Sequence, residues 1–284
     1  MKFHCLCMSP ALDALVRLDR APTGAGEIFK NLVDEENVGG KAINVARWLA
    51  IRGATVTCGG LLGADNAGPF AQELARYGIT DLFTRVAGST RRNEMIVWPG
   101  GATKLNRAAF PALDRWDEVP AFPALEEGDF VILSGSLPPC CAPSFYADCV
   151  RAYKAQGACV VLDASGEALR LGVAAGPDVV KPNADECAAI VGFVPKTPDE
   201  FRRATAILKE QVSYPIISDG GNGCWFDGTF VPSPPVDVVD TTAAGDTLLA
   251  EWCFSRDPQR AVAAGSAACT MPGSTPPQMD LEGK

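Results

Sequence analysis

The sequence predicts a doubly wound, Rossmann-like α/β core with a small β-sheet lid, and three observations carry that prediction. Short, continuous apolar runs recur: Phe130 to Leu133, Ala158 to Asp163, Asp178 to Val180 and Pro215 to Ser218. Strands buried on both faces of a parallel sheet look like this. Amphipathic helical stretches alternate with them, the βα rhythm that covers both faces of such a sheet and places ligands at the carboxyl ends of its strands. Two charge-rich stretches, residues 14–37 and 84–110, interrupt the rhythm and read as strands of a separate small sheet.

Taken in order, the first strand is expected to contain His4, the one histidine of the chain, in a packing role. After the first charge-rich stretch, a Gly-Gly turn opens a helix over Ala42–Arg52. Ser89 to Trp98 partly alternates in polarity and belongs to the small sheet. A loop containing Pro and Cys leads into a helix over Ser144–Gln156. Thr197-Pro198-Asp199-Glu200 is a capping box with Pro at the first helical position, and Phe201, Ala204 and Leu208 then keep helical spacing. Residues 224–231 form a hairpin on an Asp-Gly turn. Val236 to Val239 reads as a strand before a turn of small residues at 240–246. No internal repeat, low-complexity tract or linker divides the chain, so residues 1–284 are treated as one core with an inserted lid.

Bulk properties narrow the function. The chain has 284 residues, 47% hydrophobic, without an apolar run of the roughly 18 residues that a membrane span needs. The N-terminus reaches Ser9, Pro10 and Asp13 too early for a secretory segment. A cytoplasmic protein with no membrane partner is expected. The net charge of −9 argues against nucleic acid as a partner, but not against a small anion held by a few Lys, Arg and backbone N–H groups. The 11 cysteines are scattered and form no CxxC pair, which points to reduced, buried thiols rather than a zinc or disulfide framework. With a single histidine, a Ser-His-Asp hydrolase is improbable.

The motifs carry the chemistry, each against a plainer alternative. Asp240-Thr241-Thr242-Ala243-Ala244-Gly245-Asp246 opens a helix, and free N–H groups there favour an anion. An Asp at that position is costly, because two negative groups about 4 Å apart repel by roughly 1 kcal/mol in water and roughly 4 kcal/mol at an effective dielectric of about 20. It makes sense if Asp246 accepts a proton from a hydroxyl attacking a phosphoryl group, with a metal ion offsetting the charge. The alternative is a helix N-cap worth about 1 kcal/mol. Gly39-Gly40-Lys41 with Asn44 one turn on suits a polyol or phosphate, or is an ordinary helix start. In Lys181-Pro182-Asn183-Ala184-Asp185-Glu186, Asn183 and Glu186 share a helix face. They suit hydrated Mg²⁺, or form a capping pair. Ser218-Asp219-Gly220-Gly221-Asn222-Gly223 is a nucleotide-phosphate turn or a tight connection. Ser134-Gly135-Ser136 ends a strand and can offer hydroxyls to a sugar.

In this order and over nearly the full length, from Ser9-Pro10-Ala11-Leu12-Asp13 to the Pro-Gly-Ser-Thr-Pro near residue 275, the chain resembles the ribokinase-like (PfkB) carbohydrate kinases. Within them it is similar to the 1-phosphofructokinase and tagatose-6-phosphate kinase branch. The AINVAR run after Gly-Gly-Lys and Thr90-Arg91-Arg92-Asn93 point to that branch, and the Leu162-Asp163-Ala164-Ser165-Gly166 segment has a counterpart there. The resemblance implies ATP and Mg²⁺ as cofactors, a ketohexose phosphate as acceptor, and a β-lid that often pairs two subunits in a homodimer. It implies Asp246 as base, with the N–H groups of Ala243, Ala244 and Gly245 as the anion hole. Asp13, Gly39, Gly40, Lys41, Asn44 and Ser136 would face the sugar and Arg91 its phosphate. Lys181, Asn183, Ser218, Gly220, Gly223 and Thr241 would serve the nucleotide, with Glu186 and Asn183 ordering Mg²⁺ through water.

The chain also departs from the family pattern. Ala243, Ala42 and Cys140 replace usual glycines, Ser9 an Asn, Lys30 an Arg and Arg107 a Glu, and Glu251 stands where a small residue is usual. If position 243 needs φ > 0, its Ala costs about 1–2 kcal/mol. Two rival readings remain at this point: a kinase for an unphosphorylated sugar or nucleoside, and a silent sugar- or nucleotide-binding protein motivated by Ala243 and Glu251.

Overall fold

The computed structural model describes residues 1–30, 34–110 and 112–277. Its larger sheet has nine strands in the order β13-β12-β11-β10-β9-β8-β1-β4-β5. These are β1 (Phe3–Cys7), β4 (Val56–Gly63), β5 (Thr80–Val86), β8 (Phe130–Ser134), β9 (Cys159–Asp163), β10 (Val179–Val180), β11 (Tyr214–Ser218), β12 (Gly223–Phe226) and β13 (Thr229–Pro232). From β5 to β11 every pairing is parallel. The hairpin β12–β13 adds two antiparallel strands, and its Asp227 and Gly228 both have positive φ, as a type I′ turn demands.

Helices cover both faces because each strand's side chains alternate sides and both sides are apolar. On one face lie α1 (Lys41–Ile51), α2 (Gly68–Arg76), α7 (Ala244–Ser255) and α8 (Pro258–Ala268), whose Ile43, Trp48, Phe70 and Leu249 share a core with Cys5 and Ile132. On the other lie α3 (Phe145–Lys154), α4 (Gly166–Ala174), α5 (Ala184–Val191) and α6 (Pro198–Leu208), where Tyr146, Leu169, Cys187 and Phe201 pack on Leu133 and Val160. The capping box that opens α6 forms, with the Thr197 hydroxyl accepting from the Glu200 N–H and the Glu200 carboxylate from the Thr197 N–H. His4 is buried in β1 and packs on Phe122. All eleven cysteines are free, and most are buried. Among the described residues no helix is long and apolar enough to cross a membrane.

A second sheet of four strands, in the order β3-β2-β6-β7, comprises β2 (Ala11–Arg17), β3 (Asp34–Gly39), β6 (Arg92–Trp98) and β7 (Gly101–Leu105). The main sheet changes winding direction at β1. The chain runs outward through β4 and β5, then returns to place β8 on the other flank. The carboxyl ends of β1 and β8 therefore diverge, which is where an open α/β sheet leaves a crevice.

One expected strand does not form. Val236 to Val239 is irregular, with Val238 and Val239 63% and 64% exposed. Pro234 and Pro235 just before it lack amide donors, and the N–H groups of Val239 and Asp240 both turn to one carbonyl, that of Cys269.

Candidate active site

Three cavities are of interest, two of them lined by residues at or just before the start of α7. The first, of about 240 Å³, lies in the crevice between β1 and β8 and is lined by Cys7, Ser9, Gly40, Lys41, Arg91, Ser134, Gly135, Ser136, Ala164, Ser165 and Glu186. The second, about 610 Å³, has Ser218, Gly220, Gly223, Thr241, Ala244 and Gly245 on its polar side and Pro234, Val236, Leu248 and Val262 on its apolar side. The third, about 530 Å³, lies beneath the small sheet and includes Asp13, Asn37, Asn93, Thr242 and Ser274.

Two glycines set the start of α1, and the second lines the first cavity. Gly39 ends β3 against the Asp13 carboxylate, and a Cβ there would collide with Asp13 Oδ2. Gly40, with φ 132°, precedes α1, where a Cβ would lie 2.9 Å from Cys7 Sγ. Both positions need the missing side chain, so α1 can start against β1 and present Lys41. Of the three alanine or cysteine replacements for glycine, Ala42 and Cys140 have ordinary backbone angles; only Ala243 lies in the left-handed region, at φ 63°, ψ 0°.

Asp246, in the first turn of α7, is 4% exposed. Asn44 Nδ2 donates to its Oδ2 at 2.8 Å. Burial pushes its carboxyl above the usual range, Lys41 opposes this, and Asp163 reinforces it. The N–H groups of the first helical turn have no intrahelical acceptor, and that of Ala244 makes only a 3.3 Å contact with Thr241 O. Lys181 lies beneath them, since a Cβ on Gly245 would sit 3.4 Å from Lys181 Nζ. An anion at this helix start would thus meet free N–H groups, the helix dipole and an ammonium.

Asp163, fully buried at the end of β9, organises the two lysines. Its Oδ1 is 3.2 Å from Lys181 Nζ and its Oδ2 3.4 Å from Lys41 Nζ, while Ser134 Oγ donates to Oδ2 at 3.0 Å. Burial alone would raise its carboxyl, but Lys181, then Lys41, hold it below the usual aspartate value. Asp163 in turn raises the Lys41 ammonium above its ordinary range. Sequence reasoning gave Asp163 no role of its own. The available signal was an acidic residue closing an otherwise apolar strand.

Among the described residues no carboxylate pairs with Arg91. Its Nε, Nη1 and Nη2 donate to the carbonyls of Pro10, Arg107 and Ser9 at 3.3, 3.0 and 3.2 Å. Thr90 pins this loop to β4, its Oγ1 accepting from the Gly63 N–H at 2.8 Å. Lys41, Arg91 and Ser136 share the first cavity, whereas Lys30 is exposed and outside its lining. Asp13 lies in the third cavity, where Asn93, unassigned from sequence, donates to Asp13 Oδ1 at 2.8 Å.

Asn183 and Glu186 form the capping pair of α5: Asn183 Oδ1 accepts from the Glu186 N–H at 2.7 Å and Glu186 Oε2 from the Asn183 N–H at 2.9 Å. Glu186 nevertheless lines the first cavity. Among the described residues no three His, Cys, Asp or Glu side chains cluster as a metal cage. The donor set fits a hydrated Mg²⁺ carried in on phosphates, which needs only one or two carboxylates, with Glu186 the carboxylate in place.

Glu251 lies outside all three cavities. It is buried between α1 and α7, accepts from Trp48 Nε1 at 2.9 Å, and lies 3.2 Å from Arg52 Nε and 3.4 Å from Arg260 Nε. That departure from the family pattern has a packing explanation.

A helix start able to receive an anion, a buried carboxylate beside it and a switch-point crevice suit a phosphotransferase of the α/β class, and the chain belongs to the pfkB family of carbohydrate kinases, matching it over residues 13–278. It is an ATP-dependent sugar-phosphate kinase of the 1-phosphofructokinase branch. It is 35% identical over 219 residues to the 1-phosphofructokinase of Escherichia coli K12, covering 74% of this chain and 70% of that one. It is 32% identical over 266 residues to that of Vibrio cholerae, covering 89% and 82%. A crystal structure of phosphofructokinase-2 from Escherichia coli, in complex with substrates and products, superposes with a TM-score of 0.82 at 25% identity, covering 95% of this chain and 93% of that one.

Proposed function

We propose that the protein transfers the γ-phosphoryl group of ATP to a hydroxyl of a ketohexose phosphate, with fructose 1-phosphate ahead of fructose 6-phosphate and tagatose 6-phosphate because the curated relatives carry the name 1-phosphofructokinase. The observation that carries this reading is the buried Asp246 carboxylate beside helix-start N–H groups that lack intrahelical acceptors, with Lys41 and Arg91 sharing the cavity between β1 and β8. The nucleotide occupies the cavity of Ser218, Gly220, Gly223 and Thr241, with its apolar wall against the base. The sugar enters beneath the small sheet, where Asp13 and Asn93 form a hydrogen-bonding pair facing a polyol. Arg91 and Lys41 hold the acceptor's phosphate.

Asp246 takes the hydroxyl proton as the oxygen bonds to the γ-phosphorus, and the β–γ bridging oxygen leaves with ADP. The N–H groups of Ala243, Ala244 and Gly245, with Lys181 beneath, meet charge developing on the transferred group. Mg²⁺, when bound, neutralises phosphate charge, and Glu186 with Asn183 would order its water shell. The small sheet excludes water by covering the acceptor, and pairing of two copies over it belongs to the same proposal.

A coupled ADP-release assay with Mg·ATP tests this, run against the three ketohexose phosphates, fructose, ribose and adenosine, with Asp246→Asn alongside. Turnover on a sugar phosphate that is lost in Asp246→Asn supports the reading. Turnover confined to an unphosphorylated acceptor refutes the substrate class, and wild-type turnover of Asp246→Asn refutes the base.

A further inference from the structure

Arg47, one turn after Asn44 on α1, is a buried guanidinium that no step above uses. It is 4% exposed. Its Nη2 is 2.6 Å from Asn44 Oδ1, 2.9 Å from Val38 O and 3.2 Å from Ser274 Oγ. Its Nη1 donates to Glu73 Oε1 at 3.0 Å from α2. We propose that Arg47 is a positioning residue for phosphoryl transfer: it locks the Asn44 amide with Nδ2 toward Asp246, leaving Oδ1 of Asp246 as the one carboxylate oxygen free to accept the hydroxyl proton. This rests on the reading of Asp246 as the base.

An asparagine amide has a donor end and an acceptor end of nearly equal shape, and only its neighbours decide which way it points. With Asn44 Oδ1 taken by a guanidinium, Nδ2 must face Oδ2 of Asp246. Without Arg47 the amide can turn over and set its oxygen against the carboxylate, two acceptors facing each other. The bond from Nδ2 favours the charged carboxylate, the form that accepts a proton. A side chain that only filled this space would be apolar, since a buried guanidinium is hard to desolvate and the carboxylate it pairs with, Glu73, is also 3.9 Å from Arg76.

The same guanidinium reaches the walls of the acceptor cavity. Val38 lies in β3 of the small sheet, and Ser274 lines the cavity beneath it. Arg47 therefore ties the base's partner to two segments that border the sugar. The charged groups facing Asp246 are Lys41 and Arg47 from α1, Asp163 from the end of β9 and Lys181 after β10. Those facing Arg47 are Glu73 from α2, Tyr77 just after it and Asp246 from α7.

The test measures kcat, KM for ATP and for fructose 1-phosphate, and the acid limb of the kcat profile in Arg47→Lys, Arg47→Met, Asn44→Ala, Arg47→Met/Asn44→Ala and Asp246→Asn. Arg47→Met is expected to lose about a hundredfold in kcat with the KM for ATP unchanged, the scale of a misplaced catalytic group. Its acid limb moves to higher pH, because Asp246 has lost both its donor and a nearby positive charge. Arg47→Lys recovers part of the loss, and adding Arg47→Met to Asn44→Ala costs nothing more, since the arginine acts through the asparagine. Losses that multiply in the double variant overturn the proposal, as does a wild-type kcat per folded molecule in Arg47→Met. If Arg47→Met does not fold, Arg47→Lys alone and with Asn44→Ala make the same comparison. Full turnover in Asp246→Asn removes the base itself, whereas a silent Asp246→Asn beside a normal Arg47→Met removes only the role of Arg47.

Discussion

Ala243→Gly is the sharpest perturbation of the anion site. Ala243 sits immediately before α7 at φ 63°, ψ 0°, and its carbonyl accepts the Thr247 N–H at 2.9 Å, so the helix start holds it there. A Cβ in the left-handed region costs about 1–2 kcal/mol. Glycine removes that cost but gives the unfolded chain extra freedom worth about 0.4–1 kcal/mol. The net is a stabilisation of about 0.8 kcal/mol at the midpoints and at most about 1.6 kcal/mol, the midpoint being about 2–3 °C in Tm for a chain of this size. Ala243→Val should do the reverse, because a β-branched side chain tolerates this region worst. Calorimetric scans of the three proteins at one rate, with and without ATP, make the comparison. The N–H directions at the helix start do not depend on the Cβ, so Ala243→Gly should keep or improve turnover. A Val variant as stable as the parent, together with a Gly variant less stable than it, would refute the left-handed assignment.

The other predictions follow from named contacts. Asp246→Asn should abolish turnover, a loss of at least about a hundredfold, while ATP still raises the melting temperature. It should also stabilise the protein at neutral pH. A carboxyl raised in the fold binds its proton more tightly there than in the unfolded chain, so wild-type stability falls as pH rises from the ordinary aspartate value, 3.8, through the folded value. The gain from Asn is full above that window and vanishes below it, which melting curves across pH would show. Glu251→Ala removes the buried carboxylate that faces Arg52 and Trp48 Nε1 and should cost about 3–5 kcal/mol in urea unfolding, with activity per folded molecule unchanged. Arg91→Ala should raise the KM for the sugar phosphate and leave that for ATP alone; an unchanged sugar KM would count against a phosphorylated acceptor.

The main sheet was legible because a parallel strand advertises itself locally. Val160 to Leu162 and Ile216 to Ile217 are apolar on both faces, and both are buried. The capping box at Thr197 and the Asp227-Gly228 turn likewise encode their geometry within a few residues. Val236 to Val239 misled because apolar, β-branched residues signal a strand only when a neighbouring strand exists to pair with them, and behind two prolines none does. The site was legible as separate motifs rather than as a network. Lys41 and Asp163 are 122 positions apart and Asn44 and Asp246 202 apart, so no local pattern could reveal that an aspartate ending β9 bridges two lysines. Arg47 was hidden for another reason: on the buried side of an amphipathic helix its charge looks like an exposed position out of register. Asn183 and Glu186 carried both of their readings into the fold, as a capping pair whose glutamate still borders the cavity.

The two lysines around Asp163 differ in freedom. Lys181 is 5% exposed, whereas Lys41 is 45% exposed on the longer, 3.4 Å contact. With Asp246, the four groups sum to zero charge when both carboxylates are ionised, so their charges balance before any ligand arrives. Lys181 is the fixed counter-ion. Lys41 is the mobile one: swung from Asp163 toward an incoming phosphate, it would leave that aspartate to Lys181 and Ser134 and deliver a positive charge only when there is something to neutralise.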